Sequence, residues 1–260
     1  MTMPLPFFQV DAFAEKPFTG NPAAVMPLQE WLPDEVMQAI AAENNLAETA
    51  FTVPSEAETH DYDLRWFTPT LEIGMCGHAT LASAHILLHG DKVRFMTKSG
   101  VLTVTRAEDL LKLDMPAAKP EPAGLPELLD ALGTEGETFL SRAGNGNAVV
   151  LVDDEAAVMA VDPQFAALRK LPYLVSVTAP GSEYSVTSRV FAAYHGVDED
   201  PVTGSAHTAL VPFWAERLGR THFTALQASK RTGVLHCELR GDRVILGGHC
   251  VTVIEGHFQI

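Results

Sequence analysis

Positive charge is scarce in this chain: 18 Lys and Arg stand against 33 Asp and Glu, a formal charge of −15. No Lys or Arg stripe of the kind that neutralises phosphates is present, so neither nucleic acid nor an anionic membrane surface is an expected partner. Cysteine is also sparse. Cys76, Cys237 and Cys250 are an odd set without C-x-x-C spacing, which argues against a disulfide framework or a structural zinc site and points to a reducing compartment. No apolar run approaches the ~18 residues needed to cross a bilayer. The start, "MTMPLPFFQVDAF", has no basic stretch leading into an apolar core, so a cytoplasmic location is expected. Nucleotide and nucleophile motifs are missing as well. "GDRVILGG" lacks the Lys-Ser/Thr ending of a phosphate loop, no G-x-G-x-x-G opens a helix, and there is no G-x-S-x-G elbow. His85 and His89 are four apart on one expected helix but have no acidic third ligand in the pattern, so no metal is expected.

What the chain does have is a repeat. With 260 residues and 47% apolar content, it is long enough for one large domain or two medium ones. "GNPAAV" at Gly20 is followed 57 residues later by "GHATLA" at Gly77; "GNGNAV" at Gly144 is followed 60 residues later by "GSAHTA" at Gly204. "LRWFTP" from Leu64 and "SRVFAA" from Ser188 precede the two later glycines in the same order. Three landmarks kept in order imply two similar half-molecules. Two copies of one unit can face each other across a cleft, and what differs between them there is the best candidate for chemistry.

Alternation and breaker residues predict strands at "FFQVDAF", "NPAAVMPL", "ETAFTV" and "YDLRWFTP", with a helix opening at Pro33 and running to about Glu43. "TLEIGMCG" reads as a loop and "HATLASAHILLHG" as a helix of small residues. Two strands follow, "KVRFMTKSG" and "VLTVTRAEDLLKLDMP". "PAAKPEPAGLPE" carries four prolines in twelve residues and reads as a linker. The second half repeats the order, with a helix near "PQFAALRKL", a loop "GVDEDPVTGS", the helix "AHTALVPFWAERLG", and closing strands "HFTALQAS", "VLHCELRGDRVILGG" and "HCVTVIEGHFQI". The expected class is α+β: a first half of residues 1–117 completed by 249–260, and a second of 118–248, each a mixed, mostly antiparallel sheet around a central helix.

Each central helix begins at a small-residue turn, Cys76–Gly77 in "MCGHAT" and Thr203–Gly204–Ser205 in "PVTGSAH". Free backbone N–H groups and the positive helix end there suit an anion such as a carboxylate. The plainer alternative is that Thr203 and Ser205 are N-caps and the glycines only ease a turn. Glu48 lies between a helix end and an apolar strand, where partial burial would raise its pKa and suit it to proton transfer in both directions. The matching stretch of the other half, "RKLPYLVSVTA", has no acid, so the shared scaffold does not require Glu48; a solvated glutamate is the alternative. His78 follows Gly77, and Asp200 lies four residues before Gly204. With Glu48 they would bring three titratable groups to one site, although a structural histidine and a turn-forming aspartate are the plain alternatives. Cys76 at a helix start could act as a base through a lowered pKa, but the equivalent place in the other half carries no thiol.

Four of these motifs, "DAFAEKPFTGNPAAV", "NNLAETAFTV", "LRWFTPTLEIGMCGHATLASAHIL" and "GVDEDPVTGSAHTALVPFWAERLG", resemble the PhzF family of phenazine-biosynthesis-like isomerases over nearly the whole chain. The resemblance implies a fold similar to diaminopimelate epimerase and proline racemase, with two pseudo-symmetric halves, the site in the cleft between them, no cofactor, and a homodimer. It places the catalytic glutamate at Glu48, the site histidine at His78 and the site aspartate at Asp200, with Gly204, Ser205 and Gly77 holding substrate. The expected activity is a cofactor-independent isomerisation that shifts a proton on a small carboxylate-bearing metabolite by glutamate acid/base catalysis. The rival readings are an amino-acid epimerase or racemase using Cys76, and a binding protein without turnover.

Overall fold

The computed structural model describes residues 4–141 and 146–260, and the chain divides into two compact units, Met1–Asp114 with Gly247–Ile260, and Met115–Leu246. The first unit runs β1 (Pro4–Ala12), β2 (Asn21–Pro27), α1 (Asp34–Asn44), β3 (Glu48–Pro54), β4 (Tyr62–Phe67), β5 (Glu72–Ile73), α2 (Gly77–Leu87), β6 (Lys92–Thr97), β7 (Gly100–Ala107) and β8 (Leu110–Pro116). The second runs β9 (Glu121–Pro122), α3 (Pro126–Leu132), β10 (Glu137–Ser141), β11 (Asn147–Leu151), α4 (Glu155–Ala160), α5 (Phe165–Leu168), β12 (Leu174–Pro180), β13 (Val186–Ala192), β14 (Val197–Asp200), α6 (Gly204–Leu218), β15 (His222–Gln227), β16 (Gly233–Arg240) and β17 (Arg243–Gly248). The last strand, β18 (Cys250–Gln259), returns to the first unit and pairs antiparallel with β1. This is an α+β protein.

The repeat holds at the level of strand pairing. In the first unit β1–β2 is antiparallel, β2–β3 parallel, β3–β4 antiparallel, β4–β6 parallel and β6–β7 antiparallel. The second unit reproduces that alternation from β10 to β16. Each parallel pair needs a crossover: α1 joins β2 to β3 and α2 joins β4 to β6, while α4 with α5 and then α6 do the same in the second unit.

The two central helices are apolar or small-sided on every face, which is the pattern of a helix enclosed by its surroundings. The first eight residues of α2, Gly77 to Ala84, are all buried. Its hydroxyls are satisfied within the helix, Thr80 Oγ1 donating to the Cys76 carbonyl at 2.5 Å and Ser83 Oγ to that of Ala79 at 2.8 Å. The longer α6 contains Pro212, which cannot donate to the Thr208 carbonyl. The backbone N–H of Ala118 takes that place at 2.9 Å.

Several local readings differ. "VLTVTRAEDLLKLDMP" is two strands, turning where Glu108 adopts a left-handed φ of 58°, and "VLHCELRGDRVILGG" turns at Gly241, φ 62°. The proline-rich linker contains the start of α3, because Pro126 at the first helical position loses nothing by lacking an N–H. Both loops preceding the central helices hold a short strand, β5 and β14, which pairs with the strand before it. The landmark at Gly144 and Asn145 lies outside the described residues. Two residues on, Gly146 has a left-handed φ of 68°, as Gly20 has at 67°, but β3 and β12 align from Glu48 and Leu174 to Pro54 and Pro180, and the parallel partners of their first residues are Ala23 and Asn147, so Asn147 stands at the place of Ala23.

Candidate active site

The first unit brings three of the expected residues together at one end of its sheet. Because β2 and β3 run parallel, with Ala23 opposite Glu48, they begin at the same end, and α2 packs on both. Glu48 is placed there by the C-terminus of α1, which stops at Asn45 in a left-handed conformation, φ 48°, its N–H returning to the Ala41 carbonyl. His78, 4% exposed, is the second residue of α2, and its Nε2 lies 3.0 Å from Glu48 Oε2. On the other edge of the ring, His78 Nδ1 lies 3.2 Å from Asn21 Nδ2 and 3.6 Å from Cys76 Sγ. Gly77, buried, joins Cys76 to His78 at the helix start.

Burial penalises charge on both Cys76 and His78. It pushes the Cys76 thiol above its ordinary value, with the Glu48 carboxylate pushing the same way. For His78, burial works against the imidazolium, while negative charge on Cys76 and on Glu48 works for it, and the raised side prevails. A Cys76 held as a thiol leaves Glu48 as the neighbour that favours the imidazolium. The lowered thiol pKa expected from the helix start is therefore reversed, because desolvation outweighs the helix end.

Cys76, His78 and Glu48 offer ligand-type atoms within 4.8 Å of one another. They meet the imidazole on opposite edges, however, the sulfur at Nδ1 and the carboxylate at Nε2. One ion cannot take both contacts through a single ring nitrogen, so these contacts do not make a three-ligand cage.

The second unit holds the other expected residues in a different network. Thr203 Oγ1 donates to Asp200 Oδ2 at 2.5 Å, and the Thr203 N–H donates to Gln227 Oε1 at 2.8 Å. Gln227, fully buried, also donates to the Asp200 carbonyl at 2.8 Å and to Thr203 Oγ1 at 3.1 Å. Thr203 is the N-cap of α6 by backbone conformation, yet its hydroxyl turns back to Asp200 and makes no cap hydrogen bond. Cys76 likewise caps α2 with no side-chain bond. The first-turn amides of Gly77–His78 and of Gly204–Ser205 are thus not consumed by cap side chains, so the N-cap alternative does not describe Thr203. Ser205 is half-buried and its carbonyl accepts from Asn147 Nδ2 at 3.2 Å. His207, one turn into α6, donates from Nδ1 to the Thr203 carbonyl at 2.9 Å, and burial pulls its pKa down to about 4.

Sequence reading missed a pair of clamps that set these helix starts. Arg65 of β4 grips Glu72 through two bonds of 2.8 and 3.0 Å; Arg189 of β13 grips Glu199 through bonds of the same lengths. Each glutamate lies five residues before its helix glycine. The Arg65 bonds hold the Glu72 carboxyl down at about 2 despite burial. The signal was present as an arginine in second place of both "LRWF" and "SRVF". Asn21, whose amide faces His78 Nδ1, was also legible only as a landmark.

The repeated sheet-and-helix unit thus carries a carboxylate–imidazole contact at one of its two helix starts. The chain belongs to the phenazine biosynthesis-like family, PhzC-PhzF, which it matches over residues 10–256. An uncharacterized isomerase of Pseudomonas aeruginosa is 49% identical over 99% of this chain and all of that protein. The crystal structure of a PhzF-family phenazine biosynthesis protein from Enterococcus faecalis is 44% identical, with a TM-score of 0.93 over 99% of this chain and all of that one. A hydroxyproline epimerase from Agrobacterium vitis shares the fold at 11% identity, TM-score 0.62, over 99% of this chain and 93% of that one. At family level, the assignment is an isomerase.

Proposed function

We propose that the protein is a cofactor-independent isomerase in which Glu48 removes a proton from carbon in a small carboxylate-bearing substrate and returns it to another carbon. The observation that carries this reading is the Glu48–His78 contact of 3.0 Å at the start of a buried helix, in a unit whose repeat has no acid there. When the C–H bond breaks, its proton goes to Glu48 and its electrons delocalise toward the substrate carboxylate. The uncapped first-turn amides of α2 are donors for that charge. His78 steadies the Glu48 carboxylate through Nε2. Reprotonation at the second site restores Glu48, so atoms and charge balance without a further reactant. Asp200, Thr203, Gly204 and Ser205 are proposed, on the family resemblance, as substrate-holding groups.

A thiol mechanism has less support. Burial keeps the Cys76 proton on sulfur, and the equivalent residue of the second unit is Thr203, so a two-cysteine racemisation has no second base. A binding protein without turnover would not need a carboxylate held against a buried imidazole, an arrangement that costs stability. The deciding experiment is proton NMR in D₂O with a panel of cyclic diene acids, 2-amino acids and 2-hydroxy acids. Deuterium incorporation that Glu48→Gln abolishes and Cys76→Ala spares is the expected result. Loss with Cys76→Ala instead, or binding without exchange, would overturn the reading.

A further inference from the structure

The hydrogen bonds around Thr203 can run in one direction only. Gln227, the last residue of β15, is fully buried, and two backbone groups fix which way round its amide stands. The Thr203 N–H can only donate, so the atom facing it at 2.8 Å is Oε1; the Asp200 carbonyl can only accept, so the atom facing it at 2.8 Å is Nε2. The second Nε2 proton goes to Thr203 Oγ1 at 3.1 Å. A hydroxyl that accepts there keeps its own proton to give, and Asp200 Oδ2, 2.5 Å away, receives it. The chain therefore leads from the Gln227 amide through the Thr203 hydroxyl to the Asp200 carboxylate.

The repeat shows that the shared scaffold does not need this glutamine. Laying "LRWF" on "SRVF" matches β4 with β13, and the parallel partners Phe95 and Met96 of β6 then match Ala225 and Leu226 of β15. The next residues, Thr97 and Gln227, are equivalent, and each lies opposite the glycine that opens the following strand, Gly100 and Gly233. Two residues further on the halves agree. Ser99 Oγ donates to the Gly74 carbonyl and Ser229 Oγ to the Pro201 carbonyl, each at 2.8 Å, and each carbonyl lies three residues before its helix glycine. Thr97, by contrast, directs its hydroxyl to the Gly100 carbonyl of its own hairpin at 2.7 Å. The serine that ties the loop to the sheet is scaffold, whereas a buried amide that reaches the helix start occurs in one half only. Burying an amide costs free energy that its hydrogen bonds must offset, and those bonds end on Asp200 and Thr203.

We infer that Gln227 is a positioning residue: it turns the Thr203 hydroxyl toward Asp200 and so holds that carboxylate in one orientation for the substrate. Without it the hydroxyl is released to cap α6, the ordinary role of a threonine at an N-cap, and Asp200 Oδ2 loses that donor. The absent cap bond of Thr203 has the same origin. The role toward substrate rests on the reading above of Asp200 as a substrate-holding group; the hydrogen-bond chain is a property of the protein alone.

Two measurements on the full chain test this. In 1H–15N NMR without substrate, with Gln227 assigned by the signals lost in Gln227→Met, both of its side-chain amide protons should exchange about a hundredfold or more slower than those of an exposed glutamine. The Thr203 hydroxyl proton should be visible and show a cross-peak to them. Exchange at the rate of an exposed glutamine would overturn the inference. In deuterium incorporation with whichever compound of the panel above is turned over, Gln227→Met should raise KM about tenfold and leave kcat within about twofold. A merely structural glutamine would instead lower the active fraction, giving a reduced kcat at unchanged KM, and that result would also overturn it. Thr203→Val should raise KM by the same factor and Thr203→Ser should keep it near wild type. Gln227→Met should then add nothing in the Thr203→Val background, and additive losses would mean that the two act separately, against the inference. Thr97→Val, at the equivalent place, should leave both parameters unchanged. If Gln227→Met does not fold, the wild-type spectrum and the Thr203 pair decide. If no compound of the panel exchanges, the isomerase reading fails and the spectrum still tests the chain; if exchange occurs and Gln227→Met keeps the wild-type KM, this inference alone fails.

Discussion

The two units share a scaffold and differ at a few side chains that matter. Where the first has Glu48, Cys76 and His78, the second has Leu174, Thr203 and Ser205 at the equivalent strand and helix positions. Leu174 is 3% exposed and belongs to a small apolar cluster with Val190, Ala192 and Ala206. The same backbone geometry therefore supports either a hydrophobic plug or a carboxylate–imidazole pair. Features found in both halves, such as the arginine–glutamate clamps, are scaffold. Features found in one half are the candidates for chemistry.

The sharpest way to break this comparison is to exchange its odd member. Glu48→Gln should reduce proton exchange by about a thousandfold, ~4 kcal/mol of barrier, with little change in fold. Leu174→Met at the matching position should leave exchange at the wild-type rate and cost under about 1.5 kcal/mol of stability. Equal losses from both, measured by deuterium incorporation and urea midpoints, would mean that the halves are not chemically distinct.

Two left-handed glycines, one in each unit, test the scaffold. An added Cβ at Gly20 would stand 2.2 Å from the Ala12 carbonyl oxygen, whereas at Gly146 the nearest atom is the Pro172 oxygen at 3.4 Å. Both carry positive φ, so Gly146→Ala should cost about 1 to 2 kcal/mol from backbone strain alone. Gly20→Ala should cost at least about 3 kcal/mol, since overlap adds to the strain. Denaturant unfolding of the pair would reverse this ranking if the Gly20 turn opened freely.

Acid separates the halves further. His207 is held near 4 against an ordinary 6.5, so between those values the unfolded chain takes up a proton that the folded one refuses. Stability should fall with acid through that window by up to about 1.4 kcal/mol per pH unit, and His207→Gln should flatten the slope. The equivalent residue in the first unit, Thr80, does not titrate. There the acid-sensitive group is Glu72, whose carboxyl is depressed from 4.5 to about 2. Its contribution is complete above 4.5 and is lost as pH falls toward 2, a lower window that Glu72→Gln should remove. Unfolding midpoints followed from pH 7 to pH 2 would distinguish the two.

Cys76→Ala carries the smallest expected effect. Exchange should stay within about tenfold of wild type, ~1.4 kcal/mol. A loss as large as that of Glu48→Gln would transfer the base role to sulfur.

Much of this was written in the primary structure. The repeat, the central helices and the strands from "FFQVDAF" to "YDLRWFTP" follow from periodicity and breaker residues, because those patterns act over a few residues and need no partner. The absence of an acid opposite Glu48 was equally visible by laying one half on the other. What sequence could not supply were the pairings at long separation. Asn21 and His78 are 57 residues apart, and only the parallel alignment of β2 with β3 beneath α2 brings an amide, a carboxylate and an imidazole to one end of the sheet. Burial was likewise a tertiary decision: a cysteine at a helix start reads as acidic from its neighbours in the chain, and becomes a protonated thiol because the fold removes water from around it. The sequence determined which groups were available and on which elements they lay. The tertiary structure decided which atoms touch, and through desolvation and contact geometry, which of them hold protons.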